Sequence, residues 1–112
     1  MKQSDKERLK HILKAAQEIE LFVQDKTFID FKSDRLLQRG VEKDLEIIGE
    51  AANKLSNEVR DEFSQIPWKA IVGMRNILVH VYFELDLGTV WKTVQEDIPF
   101  LLKKLQKIDF DN

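Results

Sequence analysis

Apolar residues recur along this chain at steps of three and four, the spacing that places side chains on one face of an α-helix. Leu9, Ile12, Leu13, Ala16, Ile19 and Val23 make the first such stripe. Ser4 followed by Glu7 has the form of a capping box at its start. The stretch from Asp25 to Ser33 loses the period and reads as a connection, after which Ser33 or Asp34 caps a second helix. Val41, Leu45, Ile48, Ala52 and Leu55 of that helix form a narrow seam, the kind that packs along a neighbouring helix. Residues 56–66 predict a short helix with flanking turns, and Pro67 suits the first turn of the helix that follows. That helix continues through at least His80. After Asp86-Leu87-Gly88, a last helix carries Trp91, Val94, Ile98, Leu101, Leu105 and Ile108. Pro99 lies inside this pattern and should bend it. No internal repeat, low-complexity segment or linker interrupts the series. The pattern predicts an all-α fold: an up-down bundle of four main helices plus a short one, a single domain over residues 1–112.

Composition narrows the picture. A chain of 112 residues is one ordinary domain. With 43% apolar and 34% charged residues, four Gly and two Pro, it is turn-poor and charge-rich, which favours helices over disorder or β-structure. The chain has no Cys, which excludes disulfide scaffolds, thiolate metal sites and Cys nucleophiles together. The first residues lack the apolar centre of a signal peptide, and no run approaches the roughly 20 apolar residues of a membrane span. A cytoplasmic protein with no membrane association is therefore expected. A formal charge of −2 makes the surface no general attractor for nucleic acid, so any RNA would be held at a local basic patch.

The helix from Trp68 to about Tyr82 is apolar on more than one side, since Ile71, Val72, Met74, Ile77, Leu78, Val79 and Val81 cannot share one stripe. It is expected to be the most buried helix. Inside it stand Arg75, Asn76, His80 and Tyr82, polar groups where binary patterning would place hydrophobes, and such local rule-breaking often marks a functional site. On an ideal helix Arg75 and Tyr82 are about 20° apart, Asn76 and His80 stack one turn apart, and Arg75 and His80 are about 140° apart. One straight helix cannot aim Arg75 and His80 at a single small target. Either the helix distorts near His80 or a second copy completes the site, which suits a homodimer with its two-fold axis near this helix.

These residues read R-N-x3-H-x-Y, and with them the sequence resembles the HEPN superfamily, more narrowly HepT, the toxin of HepT/MntA toxin–antitoxin systems. The resemblance runs from about Arg39 to Lys104. It takes in Gly40 to Ala51, the Pro67-Trp68 helix start, Val72-Gly73-Met74, and the stretch from Asp86 to Pro99 with Val90-Trp91. Lys43 stands where Arg is more usual. The resemblance implies a homodimeric, metal-independent endoribonuclease. It also implies a partner, an MntA-like nucleotidyltransferase antitoxin, that transfers AMP from ATP onto Tyr82.

The residue chemistry agrees with that implication. Metal-free RNA cleavage uses the neighbouring 2′-hydroxyl as nucleophile, which needs a base for its proton, an acid for the departing 5′-oxygen and cationic donors for the phosphate. His80 suits either proton transfer, because an unperturbed imidazole titrates at about 6.5. Arg75 offers a planar fork of donors that matches phosphate. Two proton transfers ask for two histidines, which a dimer-interface cleft would supply. Asn76 is a supporting residue that could hold the His80 ring. No cofactor or metal is expected.

Other readings compete at each position. Arg75 could pair with Glu46 or Glu50, an arrangement compatible with orienting the guanidinium toward phosphate. Tyr82 could be an amphipathic packing residue. Glu42, Glu46 and Glu50 lack the E-x-x-H pairs of di-metal bundles and read as a solvated or Arg-facing edge. Lys32, Arg35, Arg39 and Lys43 give the second helix a partly basic edge. Trp68 and Trp91 read as core or interface anchors, base stacking being the minor reading. His11 reads as a solvated or boundary residue. Two functions of other classes remain beside the ribonuclease: a non-catalytic helical subunit that binds nucleotide or presents substrate to a nucleotidyltransferase, and a plain dimerisation module.

Overall fold

The computed structural model describes residues 1–79 and 86–110, the side chains of 74–79 excepted. The first stripe forms α1 (Gln3–Val23), which buries Leu9, Ile12, Ala16, Ile19 and Val23 and leaves Leu13 half-buried at its edge. Its start departs from the sequence expectation. Lys2 is the N-cap, without a side-chain cap, and Ser4 already lies inside the helix. A tertiary contact fixes this end instead: Asp5, 2% exposed, accepts from Ser56 N at 3.0 Å and Ser56 Oγ at 2.8 Å. A carboxylate buried in this way needs both bonds, and that requirement overrides the weaker local box.

The chain leaves α1 through Asp25, at φ 60, a left-handed conformation that short polar side chains tolerate. The expected connection then contains a further helix, α2 (Phe28–Ser33). Its start is a true capping box: Asp30 N donates to Thr27 Oγ1 at 3.2 Å and Thr27 N to Asp30 Oδ2 at 2.9 Å. Phe31 of α2 is fully buried, and Gln38 Nε2 donates to the carbonyls of Phe31 and Lys32 at 2.9 and 3.1 Å, tying the end of α2 to the next helix.

That next helix, α3 (Arg35–Asn53), is capped by Asp34, which accepts from Leu37 N at 3.0 Å. Its predicted seam of Val41, Leu45, Ile48 and Ala52, with Leu55 just beyond, is buried throughout. The last carbonyls of α3 are met by cations, as the helix dipole favours: Arg60 Nη2 donates to Ala52 O and Asn53 O, both at 2.8 Å, and Arg8 Nη1 to Lys54 O at 2.8 Å. The predicted short helix is α4 (Asn57–Glu62), capped by Ser56 Oγ. Pro67 stands at the entry to α5 (Trp68–Val79), its carbonyl accepting from Ile71 N at 3.0 Å. Trp68 is buried as an anchor, its Nε1 donating to Phe63 O at 3.1 Å.

The last helix is divided. α6 (Leu87–Lys92) is capped by Asp86, whose Oδ1 and Oδ2 accept from Thr89 N and Oγ1 at 3.1 and 2.7 Å. A π-helical turn, Thr93–Asp97, leads into α7 (Ile98–Leu105), with Pro99 in its first turn. The cause is the expected one: Pro99 has no N–H for the carbonyl four residues back, and its ring crowds that carbonyl, so the ladder widens before it.

α1 packs along α3 and α7, α3 also packs along α5, and α2 bridges α3 and α6. The pairs Asp5–Ser56 and Phe22–Gly40 show α1 and α3 running antiparallel. The second of these pairs is close, since a Cβ on Gly40 would lie 3.2 Å from the Phe22 ring, which would have to shift by a few tenths of an ångström. The described half of α5 buries Trp68 and Ile71 but exposes Lys69 and Ala70. The expectation that this helix is buried on several sides, and helical through His80, rests on side chains and residues outside those described. Among the described residues no helix is long and apolar enough to cross a membrane.

Asp5 should therefore hold α1 to the α3–α4 corner. Asp5→Ala leaves Ser56 N with no side-chain acceptor and should lower stability by about 1–3 kcal/mol in urea unfolding. Burial pushes the Asp5 carboxyl up, but the Ser56 bonds, Lys2 and Arg8 together hold it below its ordinary 3.8. Its contribution is thus complete above pH 3.8 and lost as pH falls through the lowered value. A variant as stable as the parent at neutral pH would refute the role.

Candidate functional site

The motif rides on α5, whose helical backbone carries Arg75 and Asn76. Their side chains, and all of His80 and Tyr82, lie outside the described residues, so the predicted juxtaposition of Arg75 with His80 is neither drawn together nor separated here. What the structure describes is the surround. α3 is the helix packed along α5, and the chain reverses between them through α4. The motif end of α5 consequently shares an end of the bundle with the start of α3, with α2 and with the start of α6.

Along α3 the three glutamates differ in setting. Glu42 and Glu46 are half-buried and Glu50 is exposed. Arg39 Nη1 lies 2.9 Å from Glu42 Oε2, so this glutamate faces an arginine of its own helix. Lys32, Arg35, Arg39 and Lys43 are all exposed, giving the basic edge the sequence predicts, interleaved with these acids. Among the described residues no group of three or more His, Asp and Glu could hold a metal ion. His11 is exposed on α1, Trp68 is a core anchor, and Trp91 is half-buried between α2 and α6, with ring centroids 5.2 Å from Phe31 and 6.4 Å from Phe28.

Several acids at the motif end are turned onto helix starts. Asp30, Asp34 and Asp86 accept from the backbone N–H groups of Thr27, Leu37 and Thr89. Those bonds, with the side-chain bonds from Thr27 and Thr89, hold Asp30 and Asp86 below the usual carboxylate range.

Sequence reasoning passed over one further acid. Asp44 is 4% exposed in the α1–α3 seam, and its Oδ2 is buried without a hydrogen-bond partner. Burial pushes its carboxyl up to about 7, and a hydrogen bond and like charge from Glu18 of α1 act in the same direction. The signal was available, because Asp44 falls one turn before the seam residue Ile48 and so shares its face.

An all-α bundle whose sequence carries R-N-x3-H-x-Y, beginning on a helix packed along α3, is a HEPN-type helical domain. The chain belongs to the ribonuclease HepT-like family, whose model matches residues 12–108. It is 42% identical over 108 residues to the "Probable ribonuclease HepT" of Thermococcus cleftensis, covering 96% of this chain and 98% of that protein. It is 40% identical over 100 residues to the "Putative RNase" of Caldanaerobacter subterraneus subsp. tengcongensis, covering 89% of each. A third relative, "Gamma-glutamylcyclotransferase and putative RNase" of Methanocaldococcus jannaschii, is 43% identical over 108 residues. This chain spans only 49% of that relative's length. No solved structure matches.

The setting of Asp44 predicts an unusual pH profile. Its raised value means the folded chain takes up a proton that the unfolded chain, near 3.8, releases. This contribution to stability is full below pH 3.8 and is lost as pH rises through about 7. Asp44→Asn should flatten the thermal-unfolding profile across that interval and raise the midpoint at pH 8. An unchanged profile would show that Asp44 titrates normally.

Proposed function

We propose that this protein is an endoribonuclease of HepT type, the toxin of a type II toxin–antitoxin system. The observation that carries the reading is the intact Arg75, Asn76, His80 and Tyr82 sequence motif inside the span matched by the family. Relatives named as ribonucleases, similar over most of this chain, support RNA as the substrate.

The reaction follows from the residue types. The 2′-oxygen attacks the adjacent phosphorus and loses its proton to one His80. The bond from phosphorus to the 5′-oxygen breaks, and the second His80 of a homodimer protonates the leaving oxygen. The product is a 2′,3′-cyclic phosphate. Arg75 from each protomer neutralises the charge that builds on the phosphoryl oxygens, and its fork geometry suits that task better than a point charge. Asn76, one turn before His80, orients the ring. No metal takes part in this scheme.

Tyr82 follows Arg75 by seven residues, a spacing that on a continuous helix would bring its hydroxyl toward the phosphate-binding groups. AMP transferred there by an MntA-like nucleotidyltransferase would bring negative charge against Arg75 and repel RNA. The protein would stay folded and lose activity.

Purified protein should cleave RNA in excess chelator and sediment as a dimer at micromolar concentration. His80→Ala and Arg75→Ala should each lower the rate by about 10²- to 10⁴-fold while leaving the fold intact. A requirement for Mg²⁺, or activity that survives His80→Ala, overturns the mechanism.

Co-expression with a nucleotidyltransferase encoded beside it should leave an AMP-mass adduct on Tyr82, read by peptide mass spectrometry, and Tyr82→Phe should stay toxic in its presence. Suppressed toxicity with an unmodified Tyr82 would assign neutralisation to binding alone.

A further inference from the structure

Three aromatic rings run outward from the core at the motif end of the bundle. Phe31 is fully buried, Trp91 lies against it half-buried, and Phe28 follows, 37% exposed. The Trp91 ring is tilted 32° to Phe31 and 48° to Phe28, so the outer two rings form an open angle, not a closed stack. Position matters as much as exposure. Trp91 sits one turn into α6, the helix that directly follows the segment carrying His80 and Tyr82, and Phe28 is on α2, which packs on α6.

Lysines stand beside the two rings. Lys32, one turn after Phe28, and Lys92, next to Trp91, are both exposed. The neighbouring acids Asp30 and Asp86 are bound to the helix starts they cap, Asp30 to Thr27 and Asp86 to Thr89. An aromatic ledge flanked by lysines is the arrangement that takes unpaired nucleobases, the rings stacking on the base while the cations meet the phosphates.

We propose that Phe28 and Trp91 form a stacking subsite for one unpaired base of the RNA. The inference rests on the ribonuclease reading and adds to it: the enzyme selects single-stranded RNA because only an unstacked base can enter the ledge. Phe28 and Trp91 are binding residues and take no part in proton transfer.

The test uses the full chain and a single-stranded RNA in which every 2′-hydroxyl is methylated, so that binding is read without cleavage. Phe28→Leu, which keeps the apolar volume at a partly exposed site, should weaken binding on the order of tenfold. Phe28→Tyr should restore it, and melting curves should show all variants folded. Replacing the bases one at a time with abasic positions should reveal one position whose loss weakens the parent protein by a similar factor and Phe28→Leu no further. Equal binding by parent and Phe28→Leu, or losses that multiply independently, overturns the subsite. Cleavage of the unmethylated RNA by the parent is the control for the ribonuclease reading. If it persists while Phe28→Leu binds normally, only the ledge is wrong; if the parent neither cleaves nor binds, both fall.

Discussion

The antiparallel packing of α3 between α1 and α5 is the constraint on which the rest of the molecule depends. α3 presents one broad face, from Gln38 through Val41, Leu45 and Ile48 to Ala52, that is buried along its whole length. Apolar burial of this kind is roughly proportional to area and indifferent to register, so direction must come from elsewhere. It comes from contacts at the two ends of the α1–α3 pair. At one end Asp5 accepts from Ser56, and Arg8 reaches the carbonyl of Lys54. At the other, the Phe22 ring occupies the space that a side chain on Gly40 would take. A slip of one residue would leave Asp5 buried without donors and put a Cβ against the Phe22 ring. With α3 so fixed, α5 has one helix to pack along, and the motif is delivered to one end of the bundle.

The elements that could be read from the sequence are those whose burial is periodic and long. The seams of α1 and α3 predicted their buried residues almost position by position, because three or more turns give a period time to declare itself. α2 escaped for the opposite reason. Six residues contain less than two turns, and its decisive signals are a Thr27–Asp30 capping box and one buried ring, neither of which is periodic. The start of α1 was misread because a local box at Ser4 and Glu7 competes with a partner 51 residues away, Ser56, that pattern alone cannot supply. Pro99 was read correctly as a source of distortion, since the loss of an N–H is a property of the residue and not of its surroundings.

At the candidate site, legibility had another character. Arg75, Asn76, His80 and Tyr82 stood out as polar groups in an apolar helix and as a spaced motif, so their selection needed no knowledge of the fold. Their setting did. Asp44 is an acid within a seam, yet the α3 pattern alone gives no hint that Glu18 of another helix lies against it. The sequence likewise shows mixed charge along residues 25–43. Only the hydrogen bonds show that Asp30 and Asp34 are turned onto backbone donors while Lys32 and Lys43 project outward.

That division of labour bears on how a chain of net charge −2 could meet a polyanion. Affinity for phosphate depends on local potential, which decays over a Debye length of about 8 Å at physiological salt. Carboxylates held against helix N-termini stay ionised, and the positive ends of those helices offset part of their field at that distance. Exposed lysines on the same surface keep theirs. Helices α2, α3 and α6 all begin at the motif end of the bundle, and each is capped by a side chain of the residue before it: Thr27, Asp34 and Asp86. Helix starts that must be capped for stability thus set part of the local potential at that end of the bundle. Removing Asp34 or Asp86 would both fray a helix start and delete a negative charge there, so stability and local potential are set by the same residues.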